Sequence, residues 1–136
     1  MYEKILVAYN EGPGARAALG QAEAIASALG GNLTLVRSVT EGPLAEAAKP
    51  ETIATGRTAL EREINRYHPD LDAELWVVGG PAGEALVAAA NEMSADLIVT
   101  GSRHHRAITR AILGSVSSEL VHNASCDVLV VHPTED

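Results

Sequence analysis

Phenylalanine is missing from this 136-residue chain, and Trp76 with three tyrosines makes up its whole aromatic complement. The apolar 46% is therefore aliphatic, dominated by Ala, Val, Leu and Ile. Side chains of that kind suit strands covered on both faces by helices. Cysteine is nearly absent as well. Cys126 stands alone, which excludes an intramolecular disulfide and a C-x-x-C redox site and fits a reducing compartment. Basic residues are few: 10 Lys and Arg against 18 Asp and Glu leave a net charge of −8. A phosphate polymer or an anionic membrane needs a basic face, so both are disfavoured as partners. A small phosphorylated ligand held by local groups is not. No apolar run approaches the roughly 18 residues that cross a bilayer, and nothing before Lys4 reads as a secretion signal. The expectation is a cytoplasmic protein. Residues 1–136 are expected to form one domain, being long enough for one core and short for two.

What is present is regularly punctuated. Lys4 to Tyr9 reads as a strand, closed by the turn cluster Asn10-Glu11-Gly12-Pro13-Gly14. Pro13 suits the first position of a helix, where its missing N–H has no partner to lose. Ala18, Ala22, Ile25 and Leu29 then recur at helical spacing until Gly30-Gly31. Leu33 to Val39 is a second strand. Thr40 to Gly56, broken by Gly42, Pro43 and Pro50, reads as a loop giving way to a helix with Ile53, Leu60, Ile64 and Tyr67 on one face. His68-Pro69 ends it. Asp72 to Val78 is a third strand, and Gly79-Gly80-Pro81 repeats the strand, glycine, proline, helix order of the first unit. Ala82, Leu86, Ala89 and Met93 line the next helix. Asp96 to Thr100 and Asp127 to Val131 are the fourth and fifth strands, with a short helix from about Ser115 to Asn123 between them. Five strands alternating with four helices predict an α/β fold: an open, doubly wound parallel sheet with helices on both faces.

In such sheets ligands sit beyond the carboxyl ends of the strands, where the strand order reverses. The most informative segment there is Gly101 to Ser117. It holds Arg103, Arg106 and Arg110 without an acidic residue among them, and closes on Gly114-Ser115-Val116-Ser117 at a helix start. A helix start offers unpaired N–H groups and partial positive charge to an anion. The hydroxyls of Ser115 and Ser117 can donate to phosphate oxygens. The same letters also fit an ordinary cap with Ser115 serving its own helix, and three arginines also make a solvated face.

Other constellations carry less. Gly12-Pro13-Gly14-Ala15-Arg16-Ala17 matches the dinucleotide pattern G-x-G-x-x-[GA], but Arg37 and Ser38 stand where an acidic residue should end the second strand. A receiver domain needs a phosphorylatable Asp after the third strand, where Val78-Gly79-Gly80 sits instead. His104 and His105 are adjacent, without a Cys or carboxylate beside them, so no metal site is expected. His68, His122 and His132 read as surface or strand-end residues. Cys126 reads as a small buried residue, with no activating partner evident. No catalytic residue set stands out.

The loop resembles the nucleotide loop of the universal stress protein family, whose ATP-binding members carry G-x2-G-x9-G-[S/T]. Gly101 takes the first position, His104 the second, and Gly114-Ser115 the last, with both spacings kept. KILVAYN, VVGGPAGEAL, ADLIVTGSR and GSVSSELVHNASCDVLVV extend the resemblance over the whole chain. It implies the strand order 3-2-1-4-5 of the adenine nucleotide alpha hydrolase-like fold. It implies that backbone of Ala8 and Val39 lines an adenine pocket and that Asn10 takes the place of an acidic nucleoside contact. Gly101, Arg103 and His104 would flank the phosphates, and Gly114, Ser115, Val116 and Ser117 would bind them. The implied ligand is ATP or another adenine nucleotide, with a divalent metal only alongside it and at most slow hydrolysis. The implied partner is a second copy, paired through strand 126–132. Two departures point the other way: His104 replaces a glycine, and Asn10 lacks a carboxylate. They fit a dimeric stress protein that acts by protein interaction through a degenerate pocket.

Overall fold

The computed structural model describes residues 1–10, 12–40, 49–102 and 114–133. In chain order the elements are β1 (Lys4–Ala8), α1 (Pro13–Leu29), β2 (Asn32–Val39), α2 (Pro50–Tyr67), β3 (Ala73–Gly79), α3 (Ala82–Met93), β4 (Leu97–Gly101), α4 (Ser115–Asn123) and β5 (Asp127–Val131). The strands form one parallel sheet in the order β3-β2-β1-β4-β5. Ile5 stands between Leu33 and Leu97, and Val7 between Leu35 and Val99. β1 is thus central, and the order reverses between β1 and β4.

Alternation along the strands builds two cores. Ile5, Val7 and Tyr9 face one side with Leu35 and Val99, beneath Ala18, Leu19 and Ala22 of α1 and Leu60 and Ile64 of α2. Leu6, Ala8, Val36 and Ile98 face the other, beneath Leu86, Ala89 and Ala90 of α3 and Leu120 of α4. Small alanines on α1 and α3 let the helices sit close, as a core without phenylalanine requires.

The glycine-proline device recurs in three dimensions. Gly12 and Gly80 hold φ of 116° and 113°, a region closed to most side chains, and each precedes the proline that leads into α1 or α3. Gly30 ends α1, its amide bonded to the Ala26 carbonyl at 2.8 Å.

The helix expected to follow the loop after Thr40 begins at Pro50, after an extended Lys49, because proline at the first helical position forfeits no hydrogen bond. Three expectations change. Tyr67 and Leu29, read as core-facing, are 63% and 47% exposed, each being the last residue of its helix. Tyr67 instead lies under the Arg66 guanidinium, 5.4 Å from its ring centre. His68, read as a surface residue, is half-buried at the end of α2, and its Nε2 is buried without a hydrogen-bond partner.

Candidate functional site

The carboxyl ends of β1, β2 and β4 meet at one edge of the sheet, beside the order reversal. Ala8 ends β1 and is 8% exposed. The Tyr9 amide carries the ladder one step further, donating to the Val36 carbonyl at 2.9 Å. Asn10 then turns outward and joins the two strand ends: the Ser38 amide donates to its Oδ1 at 3.3 Å, and its Nδ2 donates to Ser38 Oγ at 3.4 Å. These two bonds bring Asn10 beside Val39, the last residue of β2.

A cavity of about 590 Å³ opens at this point. It is lined by Asn10, by the end of β2 from Arg37 to Thr40, and by one side of α2 between Glu51 and Ala59. Gly56 sets how near α2 comes. A Cβ there would stand 2.9 Å from Val39 Cγ1 and 3.3 Å from Val77 Cγ1. Beside the cavity, the buried Tyr9 hydroxyl donates to Glu63 Oε2 at 2.5 Å. Burial, then that hydrogen bond and the charge of Glu63, push the Tyr9 hydroxyl above its usual range, while the Arg16 and Arg37 guanidiniums pull the other way.

At the other end of the crevice, Gly101 closes β4 against the first turn of α1. A Cβ on Gly101 would come within 2.6 Å of Gly14 Cα, and one on Gly14 within 3.2 Å of the Ser102 carbonyl oxygen. At Gly101 only glycine lets these backbones approach so closely, while a side chain at Gly14 would make the Ser102 carbonyl give way by a few tenths of an ångström. Gly114 is the N-cap of α4 and is extended, with φ −65° and ψ 164°. It has no side chain to spend on the helix amides, and Ser115, the first helical residue, is exposed. The first-turn amides of α4 therefore rely on neither residue for capping. Val116 packs against the α3–α4 core. Ser117 is 2% exposed and donates to the Gly101 carbonyl at 3.3 Å.

The predicted residues thus fall into three places. Asn10 and Val39 line the cavity. Ala8 lies two residues before Asn10 at the end of β1 and packs in the α3–α4 core, and Gly101 with Gly114 to Ser117 stand at the helix start. Arg103 and His104 lie outside the described residues. The sequence expectation puts Ile53 on this helix but leaves its start within 40–56 open, and so does not single out the cavity wall on α2. A helical frame would have put Thr52, Thr55, Gly56 and Ala59 on one small, polar face. Nor did it find Ser102, which is 3% exposed, or its partner His132, with Oγ and Nδ1 2.8 Å apart. Among the described residues, no cluster of three or more His, Cys, Asp or Glu is placed to hold a metal, and no helix is long and apolar enough to cross a membrane.

Comparison with known proteins agrees with this architecture. A sequence model of the universal stress protein family matches residues 1–132. A universal stress protein from Thermus aquaticus is 35% identical over 138 residues, covering 96% of this chain and 99% of the relative. Stress response protein NhaX of Bacillus subtilis is 33% identical over 110 residues, 78% of this chain but only 64% of that relative's length. Among solved structures, a universal stress protein in complex with cAMP superimposes with a TM-score of 0.75 at 26% identity, covering 98% of this chain and 99% of the other. The chain belongs to the universal stress protein family.

Proposed function

We propose that this chain is a stress-response module that binds an adenine nucleotide across the crevice between β1 and β4. The nucleoside end enters the cavity beside Ala8, Asn10 and Val39. The phosphates meet Gly101 and the amides and hydroxyls of Gly114 to Ser117, with Arg103 and His104 from the intervening segment. The observation that carries the reading is the start of α4, which opens next to the sheet's reversal with a glycine N-cap. Amides so placed favour an anion by geometry and by the helix dipole. The cAMP complex of a similar protein supports the adenine class.

Asn10 is held by Ser38 on one oxygen and one nitrogen donor. It orders the pocket rim, but as an amide it is a weaker acceptor for ribose hydroxyls than a carboxylate. Affinity for the nucleoside alone is accordingly expected to be low, with phosphates adding most of the binding. A divalent cation is expected only as part of the bound triphosphate. Function in the cytoplasm and as a homodimer through 126–132 completes the reading.

Titration calorimetry with ATP, ADP, AMP and cAMP tests it. Saturable heat with at least one of them is expected; none at millimolar ligand ends the nucleotide reading. The alternative is a protein-interaction module with a degenerate pocket, favoured by His104 at a glycine position of the motif. If His104→Gly gains ATP binding that the natural chain lacks, that alternative holds.

A further inference from the structure

We propose that His132 is a positioning residue for the phosphate end of the site, acting through Ser102. The proposal rests on the nucleotide reading above and adds to it a residue pair that reading does not use. Ser102 directly follows Gly101, and it is 3% exposed. The end of β5 holds it twice. Its amide donates to the Val131 carbonyl at 2.8 Å, and its Oγ is hydrogen bonded to His132 Nδ1 at 2.8 Å, the donor set by the imidazole tautomer. One residue earlier, the Gly101 carbonyl accepts from Ser117 Oγ of α4 at 3.3 Å, and Gly101 itself lies against the Gly14 backbone.

Three elements therefore converge on a two-residue hub: α1 by close approach, α4 through Ser117, and β5 through His132. A buried hydroxyl left without a partner is costly, so Ser102 ties itself to the imidazole wherever β5 places that ring. The Ser117 bond fixes the first turn of α4 to the same hub. Orientation of the α4 amides toward an anion is thus set partly from β5, by a residue that need not touch the ligand. Positioned donors lose effectiveness when displaced by fractions of an ångström. Freeing Ser102 should cost phosphate contacts and leave contacts to the base and ribose unchanged.

The test compares wild type with Ser102→Ala, His132→Ala, the double variant and His132→Asn, whose amide can stand where Nδ1 stood. ATP and adenosine affinities are measured by calorimetry, and amide hydrogen exchange of Ser102 and Ile98 is followed without ligand. Either alanine variant is expected to lose roughly three- to tenfold in ATP affinity with adenosine affinity unchanged. The double variant should be no worse than either single, and His132→Asn should recover most of the loss. Ser102 should exchange faster in His132→Ala while Ile98 does not. Wild-type ATP affinity in either single variant, equal losses for ATP and adenosine, or additive effects overturn the proposal. If the wild type binds neither ligand, the nucleotide reading falls by itself and the Ser102 amide decides: unchanged exchange in His132→Ala removes the hub too, and faster exchange keeps it.

Discussion

At the scale of single residues, close backbone approach explains more of this site than chemistry does. Gly101 opens the family's loop motif, but its need for glycine is met by packing against Gly14. Backbone atoms cannot rotate away as a flexible side chain would. Gly101→Ala should therefore displace the start of α1 and cost about 1–3 kcal/mol, read as a lowered urea midpoint. An unchanged midpoint would mean that α1 moves freely there. Tyr9 gives a pH-dependent prediction. Its hydroxyl is raised by burial and by Glu63 above the ordinary value of 10.0. The unfolded chain therefore releases this proton first as pH rises. The stabilisation is complete below about pH 10 and fades as pH climbs above it. Denaturant titrations from pH 8 to pH 11 should show wild type losing stability more steeply than Tyr9→Phe. Parallel curves would contradict the assignment.

At the scale of elements, α2 shows two opposed effects. A glycine inside a helix costs about 1 kcal/mol relative to alanine, so Gly56→Ala should stabilise an isolated helix. In this fold the added Cβ meets β-branched Val39 and Val77 at 2.9 and 3.3 Å. Overpacking of that kind costs about 1–3 kcal/mol. The expected net is a loss of up to about 2 kcal/mol, with the Val39 side of the cavity disturbed. A gain of stability in urea denaturation would show that α2 has room to spare. The same helix carries fully buried Leu60 into the core, and Leu60→Ala should cost about 2–5 kcal/mol. Any loss below 1 kcal/mol would place α2 outside the cooperative core.

At the scale of the whole molecule, the sheet ends in β5, whose single charged residue is Asp127. Val128 and Leu129 lean on the two cores from this edge, and the strand's outer side has no neighbour among the described residues. An apolar edge invites a further strand, and an isologous pair across a two-fold axis is the simplest way to cover it. Light scattering should give twice the 14.2 kDa of one chain. Val130→Lys, which puts a charge on that edge, should return the mass to that of one chain. A wild-type mass of one chain at micromolar concentration would refute the pairing.

Much of this architecture was legible in the letters alone. Apolar runs of five to eight residues alternating with helical spacing specify α/β, and glycine-proline pairs mark where α1 and α3 begin, because each is a local property of backbone and side chain. The bounds of α4 and β5 were also readable, since a glycine N-cap and a short aliphatic run need no distant partner. Where α2 begins within 40–56 was less legible, because proline both ends and begins helices; Pro50 stands at its first position. What the tertiary structure alone decided are relations across long separations. Asn10 meets Ser38 and Ser102 meets His132 because a parallel sheet brings the carboxyl ends of distant strands to one edge, and Tyr9 meets Glu63 because the crossover lays α2 over the end of β1. Spacing along a chain records which faces are apolar. It does not record which two polar groups, tens of residues apart, the crossovers will bring within hydrogen-bond reach.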